Sequence, residues 1–266
     1  MMRYRFAWLL LVLGVVLFPG CRGSRSQTEL TLAGSTSIQP FADKWAEIFM
    51  ARHPDLGVDV QGGGSSAGIQ ACKSGACQIG MSSRELKGDE KDLFEIVVAR
   101  DGLAVIVHPS NPARGLKIAE VKQIFAGDLT DWKALGGPDK RITVVTREEG
   151  SGTRGAFQEL VMGKTRIFRG AITEDSNGTV REIVAHDPAA IGFISLGLVN
   201  SQVRALALDG AEANDENIRK GSYRLVRPFL FVSRGEPVGL AKQFVDFVLS
   251  AEGQALVKEE GLLPIK

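Results

Sequence analysis

Histidine, cysteine and long apolar runs are scarce in this sequence of 266 residues, and its net charge is close to zero. The three histidines all stand in turn-like contexts, where none is placed as a base for a nearby serine. No group of His and Cys residues has metal-site spacing, which excludes a structural zinc. A net charge of +1, with acids and bases mixed along the chain, excludes a polybasic nucleic-acid surface. We therefore expect no metal, no cofactor and no nucleic-acid partner.

The longest apolar run, Ala7–Phe18, follows a short start that contains two arginines. It is shorter than the roughly 20 residues that cross a bilayer, and it predicts a signal peptide over residues 1–20. Cys21 comes directly after a glycine, which predicts a lipidated N-terminus, although Phe18-Pro19 departs from the usual lipoprotein pattern. The alternative is an ordinary signal peptide with an incidental cysteine. Residues 21–28 then form a polar tether, so we expect an exported protein, periplasmic or on the outer face of the cell envelope, held to a membrane by lipid.

Two further cysteines, Cys72 and Cys77, lie in the segment ACKSGACQIG. An oxidising compartment permits a short-loop disulfide between them. Two buried free thiols are the alternative, and the sequence does not decide between the two states.

The rest of the chain repeats one unit: a short apolar strand, a loop of small residues, and a helix. Such units build an α/β fold with a parallel sheet, whose ligands lie beyond the carboxyl ends of the strands. Turn residues in HPSNPARG and a late apolar extended segment indicate two α/β lobes with crossings between them. We predict a first lobe over residues 29–102, a second over 103–222, and a return to the first over 223–266.

Four of the strand-to-helix loops have one composition: AGSTSIQP, GGGSSAG, GMSSREL and REEGSGTRG. Each offers hydroxyl donors, and most add glycines or other small residues that let backbone N–H groups approach a ligand. Helix N-termini carry unpaired N–H groups and a partial positive charge, which suits an anion. Any one of these loops is equally an ordinary helix cap or turn. Four of them spread over both predicted lobes favour a shared anion pocket.

The last of these loops adds a guanidinium, that of Arg147, to the hydroxyls of Ser151 and Thr153. The donor fork of an arginine suits a tetrahedral oxyanion, and a buried arginine needs an acidic partner. Glu148 and Glu149 are both candidates, and Glu149 is preferred because it adjoins the glycine turn. A surface ion pair on a turn is the alternative.

Enzyme and nucleotide-binding motifs are incomplete in the same region. Ser151 lies between adjacent glycines, which is not the G-x-S-x-G spacing of a hydrolase nucleophile. Gly163-Lys164-Thr165 matches only the end of a P-loop, because Gln158 occupies the earlier glycine position. We therefore predict a binding protein and no catalytic residue.

The ordered motifs AGSTSIQPFADKWAE, GGGSSAGIQ, IGMSSRELK, IFAGDLTDW, REEGSGTRGAF and AAIGFISLG resemble those of one family, from about Glu29 to the C-terminus. The family is that of the phosphate-binding proteins of high-affinity phosphate ABC importers. The resemblance implies a two-lobed periplasmic-binding-protein type II fold with the ligand cleft between the lobes.

The resemblance also implies roles for particular residues, carried over by motif. Arg147 would bind phosphate and Glu149 would brace that arginine. One position departs from the family pattern, since Ser83 stands where well-studied members have an aspartate that accepts a proton from phosphate. The implied phosphate ligands are Ser35, Thr36, Ser37, Ser65, Ser83, Arg147, Ser151, Gly152 and Thr153.

The implied function is capture of inorganic phosphate by hinge closure, by a monomer that delivers the anion to the membrane permease of an ABC importer. The sequence does not decide how strongly phosphate is preferred over sulfate, because a serine at position 83 does not repel sulfate as a carboxylate would. The alternatives are a binder of sulfate, arsenate or molybdate, an anion sensor without a transport role, or a phosphoester hydrolase that uses Ser151.

Overall fold

A computed structural model describes residues 28–265, which form eleven β-strands and eight α-helices. The strands are β1 (Thr28–Gly34), β2 (Leu56–Gln61), β3 (Ile79–Ser82), β4 (Phe94–Val107), β5 (Gly115–Leu116), β6 (Thr143–Arg147), β7 (Ile172–Glu174), β8 (Ala190–Ser195), β9 (Arg204–Ala205), β10 (Ala207–Leu208) and β11 (Val226–Ser233). The helices are α1 (Gln39–Arg52), α2 (Ser65–Ser74), α3 (Ile118–Ala126), α4 (Gly152–Phe157), α5 (Asn177–His186), α6 (Asp215–Arg219), α7 (Gly239–Leu249) and α8 (Ala251–Glu259). Short 3₁₀ helices lie at Gly88–Asp92, Trp132–Leu135 and Leu196–Leu198, and a π-helical turn at Gln158–Met162.

Nine of these strands belong to one sheet, in the spatial order β2-β1-β3-β11-β4-β8-β6-β7, with β9 also paired to β4. Strand β1 pairs in parallel with β2 and β3, and β6 pairs in parallel with β7 and β8. Between these two parallel groups, β11 and β4 run antiparallel to each other. The strand, loop and helix order read from the sequence is therefore confirmed after β1, β2 and β6, whereas β3 leads through its loop into a 3₁₀ helix. The carboxyl ends of these four strands lead into the four polar loops.

Helix α1 shows how the sequence positions such a loop. Pro40 lies in its first turn, where the missing N–H costs no helical hydrogen bond. Phe41, Trp45 and Phe49 recur every four residues and are buried against the sheet, with the Trp45 and Phe231 rings edge to face and their centroids 6.0 Å apart. Burial of each such side chain contributes roughly 2–3 kcal/mol. This packing holds the start of α1, and the loop before it, against the end of β1.

Two large groups of buried apolar residues fill the fold. The first core includes Leu32, Trp45 and Phe231, and draws on residues 30–99 and 229–262. The second core includes Phe157 and Phe193, whose rings stack with centroids 4.0 Å apart, and most of its residues lie between 103 and 225.

Strand β4 belongs to both cores. Its residues 94–102 pair with β11, whereas residues 103–107 pair with β8. Val98 and Ala99 pack in the first core, and Leu103 and Val105 pack in the second. Strands β4 and β11 thus run from one core towards the other.

The disulfide considered for Cys72 and Cys77 is not formed. Both residues are buried free thiols. Cys72, near the end of α2, directs its thiol to the carbonyl of Val232 at 3.4 Å, while the Cys77 sulfur lies 4.0 Å from the carbonyl of Gly68. The two thiols thus contact different carbonyl groups and not each other. The structure therefore supports the alternative of two buried free thiols.

The signal peptide, Cys21 and all of the polar tether except Thr28 lie outside the described residues. From Thr28 to Ile265, no helix is long and apolar enough to cross a membrane.

Candidate functional site

The four polar loops named from the sequence meet at one place between the two cores. Ser35, at the end of β1, donates a hydrogen bond to Ser83, which follows β3, over 2.8 Å between hydroxyl oxygens. Ser65, at the start of α2, accepts the backbone N–H of Ser83 at 3.0 Å. The hydroxyls of Ser37 and Thr153 lie 2.7 Å apart and join the first loop to the loop after β6. We name Ser35, Ser37, Ser65, Ser83 and Thr153 the hydroxyl cluster; all are at most 2% exposed.

The loop after β6 approaches α2 so closely that only glycine fits at one position. A Cβ placed on Gly152 would lie 2.1 Å from the Ser65 hydroxyl oxygen and 2.5 Å from that of Ser83. Nearby, the backbone N–H of Ser66 donates to the carbonyl of Gly150 at 3.1 Å. Gly152 therefore lets residues from the two sides of the cleft come into direct contact.

Arg147 ends strand β6, and its side chain is buried beside Thr36 of the first polar loop. Its Nε and Nη2 donate to the two carboxylate oxygens of Glu148 at 3.0 and 3.1 Å, and Nη2 also donates to the hydroxyl of Thr36 at 3.2 Å. Burial lowers the pKa of Arg147, an effect that the Glu148 carboxylate opposes. The remaining nitrogen, Nη1, is buried and has no hydrogen-bond partner. An unpaired buried donor is costly, so this nitrogen points to a ligand.

The predicted brace for this arginine, Glu149, is wrong. The side chain of Glu149 is 94% exposed, and its nearest cation is Arg154, with the N and O atoms 4.0 Å apart. Glu148 takes the bracing position because its carboxylate meets the Nε edge of the guanidinium. The sequence places the two acids side by side, and only the backbone course after β6 decides which one turns inward.

Ser151 has a local role beside the site. Its hydroxyl caps α4 by accepting the backbone N–H of Arg154 at 3.2 Å. The hydroxyl proton of Ser151 stays free for a further acceptor. None of the three histidines, all of which lie in the described part of the chain, forms a hydrogen bond with it. The arrangement supports a donor role and gives Ser151 no histidine as a general base.

A second buried arginine, Arg227 of β11, was missed by the sequence reasoning. Its Nη2 donates to the Ser37 hydroxyl at 3.2 Å and lies 2.8 Å from a carboxylate oxygen of Asp101, while Nη1 donates to the Ser83 hydroxyl at 3.4 Å. Ser195 donates to the other oxygen of Asp101 at 2.8 Å. The available signal in the sequence was an arginine within the apolar run YRLVRPFLFVS. Its ion-pair partner could not be read from the sequence, because that partner depends on the register between β11 and β4.

Asn177, at the start of α5, was missed as well. Its side-chain amide donates to the Ser37 hydroxyl at 2.9 Å and to that of Thr36 at 3.4 Å. Its carbonyl oxygen accepts the backbone N–H of Ser195 at 3.2 Å. The signal was present in the sequence, because Ser176-Asn177-Gly178 begins a helix and has the same small polar composition as the four other loops.

The site as a whole is a dense set of donors. It combines hydroxyls, one amide and two guanidiniums, and each guanidinium is paired with one carboxylate. No group of three or more metal-ligating side chains occurs within residues 28–265. Buried neutral donors around two arginines suit a small oxyanion held by many hydrogen bonds.

Comparison with known proteins agrees with this chemistry. A family model described as a PBP superfamily domain matches residues 22–252. The Phosphate-binding protein PstS of Bacillus subtilis is 37% identical over 247 residues, which span 91% of this chain and 82% of that protein. The chain belongs to the phosphate-binding protein family. A second family member, from Borreliella burgdorferi, is 27% identical over 97% of this chain and 98% of its own length.

Solved structures of the phosphate-binding protein family extend the likeness to the fold. A Clostridium perfringens structure, described as a phosphate ABC transporter substrate-binding protein with bound phosphate, is 42% identical with a TM-score of 0.87, covering 90% of this chain and all of that one. An ABC-type phosphate transport receptor from Vibrio cholerae is 37% identical with a TM-score of 0.74, covering 88% of this chain and 99% of its own. The predicted periplasmic-binding-protein fold is confirmed. The chain is a substrate-binding protein and not an enzyme.

Proposed function

We propose that this protein captures inorganic phosphate outside the cytoplasm and delivers it to the membrane permease of an ABC importer. The observation that carries the proposal is Arg147, whose Nη1 is buried without a partner beside the hydroxyl cluster. Its Nε edge is already engaged by Glu148, so the free nitrogen is available to one oxyanion oxygen. The names of the related proteins, which are phosphate-binding proteins of phosphate transport systems, support the same ligand.

In the proposed complex the anion is bound by donors from every loop of the site. Arg147 supplies charge-assisted hydrogen bonds, which are roughly twice as strong as neutral ones. Arg227 holds the hydroxyls of Ser37 and Ser83 in place. Asn177 orders the first loop through its bonds to Thr36 and Ser37. The proposed direct ligands are Ser35, Thr36, Ser37, Ser65, Ser83, Arg147, Ser151, Gly152 and Thr153.

Binding and closure are linked in this proposal, because the donors come from both sides of the cleft. We assign residues 29–102 and 223–266 to one lobe and 103–222 to the other. An anion that bonds to both lobes stabilises only the closed arrangement, so it shifts the population towards closure. Strands β4 and β11, which run between the two cores, would bend as the lobes close.

The cellular setting of the proposal rests on the N-terminal sequence. Residues 1–20 would be removed as a signal peptide, and Cys21 would become the lipid-bearing N-terminus. The folded part would then act as a monomer at the membrane surface. Mass spectrometry of the mature protein tests this, since a Cys21→Ala variant should lose both the lipid mass and the membrane fraction. If the Cys21→Ala protein is still found in the membrane fraction, the proposed lipid anchor at Cys21 is wrong.

Titration calorimetry of the anion-stripped protein with phosphate, sulfate, arsenate and molybdate tests the function. Phosphate should bind with one site per chain, and phosphate at about 1,000 times its Kd should stabilise the fold by about 4 kcal/mol. Arg147→Met should abolish phosphate binding, whereas Arg141→Met, at an exposed position, should leave it unchanged. Absence of phosphate binding, or binding of another oxyanion in its place, would show that the proposed ligand is wrong.

A further inference from the structure

A second cavity, with a volume of about 580 Å³, lies beside the anion site but shares none of the hydroxyl cluster. Strand β6, helix α4 and the segment 166–171 form its walls. Its polar lining includes three arginines and a single carboxylate, that of Glu149. The polar residues that matter for its chemistry are Thr146, Glu149, Arg154, Arg166 and Arg169.

The positive charge of this cavity is largely unneutralised. Within the described part of the chain, no ion pair or hydrogen bond engages the side chain of Arg166 or of Arg169. Arg154 donates to the carbonyl of Arg147 at 2.6 Å, which fixes its guanidinium but leaves its charge in place. Glu149 lies 4.0 Å from Arg154 and is 94% exposed, so it screens little of this charge.

A buried hydroxyl in the same lining also lacks a partner. Thr146 is 2% exposed, and its Oγ1 forms no hydrogen bond. Buried hydroxyls in folded proteins are nearly always paired, and leaving one unpaired costs about 1–3 kcal/mol. This observation is independent of the arginines, and it likewise indicates a polar ligand.

The remaining wall is apolar and well ordered. Ile167, Phe168 and Ala171 line it, and the backbone of Phe168 bonds to the carbonyl of Phe125 at 2.9 Å. Gln158 donates to the carbonyls of Gly163 and Thr165, both at 2.7 Å, and so holds the start of this segment in place. The wall is therefore formed before any ligand arrives.

Size and lining together define the class of ligand. A volume of about 580 Å³ lies within the range of small-molecule sites, roughly 300–1,000 Å³, and is far larger than one phosphate ion needs. Arginine forks match the geometry of phosphate groups, and the apolar wall requires an organic part. We propose that this cavity binds a phosphate monoester of a small organic molecule, with the phosphate on Arg154, Arg166 and Arg169 and the organic group on the apolar wall.

The test is a calorimetric titration of the full-length protein with phenyl phosphate, a phosphate monoester with an apolar group, in excess inorganic phosphate so that the first site is filled. One saturable site is expected. Arg166→Gln/Arg169→Gln should weaken this binding at least about tenfold, the equivalent of one charge-assisted hydrogen bond. Glu149→Gln should strengthen it, because the only carboxylate in the lining is removed. Lys164→Gln, just before this segment and outside the cavity, should have no effect.

Two results would overturn the proposal: no saturable binding of phenyl phosphate, or equal affinity in the double arginine variant. Both arginines are exposed, so the double variant should fold normally, and its melting temperature checks this. Its affinity for inorganic phosphate should equal that of the unmodified protein. A parallel loss of inorganic phosphate binding would mean that the two sites are not separate, and would also contradict the proposal.

Discussion

Arg227 and Asp101 face each other directly across the antiparallel strands β11 and β4, and their side chains form an ion pair 2.8 Å long that is almost entirely buried. Burial raises the pKa of Asp101 and lowers that of Arg227, while each charge opposes the shift of the other. Asp101 accepts the hydroxyl of Ser195 on its other oxygen, so both of its oxygens are occupied. The pair holds Arg227 at the hydroxyl cluster from the strands that run between the two cores.

Breaking this ion pair should destabilise the protein strongly. Asp101→Asn leaves a buried arginine without its counter-charge, and we expect the free energy of unfolding to fall by about 3–5 kcal/mol. Urea unfolding measures the change. Asp215→Asn removes an exposed ion pair with Arg219 and should cost less than about 1 kcal/mol. If both substitutions lower the free energy of unfolding equally, the buried ion pair contributes no more to stability than the exposed one.

Gly152→Ala should block closure while leaving the rest of the fold intact. The new methyl group would lie 2.1 Å from the Ser65 hydroxyl oxygen, so the two sides of the cleft could not meet without displacement. We expect phosphate affinity to fall at least about hundredfold, which corresponds to roughly 3 kcal/mol. Gly150→Ala is the matched control, because its nearest neighbour would be 3.9 Å away. Calorimetry on both variants decides, and unchanged affinity in Gly152→Ala would contradict the closed geometry.

The two adjacent glutamates should behave differently on substitution. Glu148→Gln weakens the pairing that orients Arg147, and we expect phosphate affinity to fall about tenfold, as for a lost charge-assisted hydrogen bond. Glu149→Gln changes an exposed side chain that does not touch Arg147, so phosphate affinity should be unaffected. The opposite ranking in a phosphate titration would restore Glu149 as the brace.

The thiols of Cys72 and Cys77 should be unreactive in the folded protein. Burial raises the pKa of both, that of Cys77 from its ordinary 9.0 to about 11. The folded state therefore keeps a proton that the unfolded state loses above about pH 9. Stability should be insensitive to this group below that pH, and should fall as the pH rises from about 9 to 11.

Two measurements check this expectation. A thiol reagent at pH 8 should label neither cysteine until denaturant is added, and unfolding curves between pH 8 and 11 should show the decline. Unfolding curves of the Cys77→Ser variant show how much of the decline in stability at high pH comes from the Cys77 thiol. A mass two hydrogens below that of the reduced chain would reveal the disulfide instead.

Much of the candidate site was predictable because its chemistry lies in local motifs. Loops such as AGSTSIQP combine small residues, hydroxyls and a helix start, and each of these features can be read within a few positions. Arg227 and Asp101 could not be found in this way, because they are 126 positions apart and meet only through strand register. The choice between Glu148 and Glu149 failed for another reason: adjacent side chains point in different directions, and the backbone course that separates them is set by tertiary contacts.

Strand β4 has a consequence for how the protein unfolds. Its 14 residues supply neighbouring segments of one continuous strand to both cores. Neither core can melt without freeing backbone donors and acceptors in the other, so the protein should lose its structure in a single cooperative transition rather than in two steps. A solute-binding protein built in this way can flex at its centre during each capture cycle while neither half is exposed, on its own, to the proteases of the cell envelope.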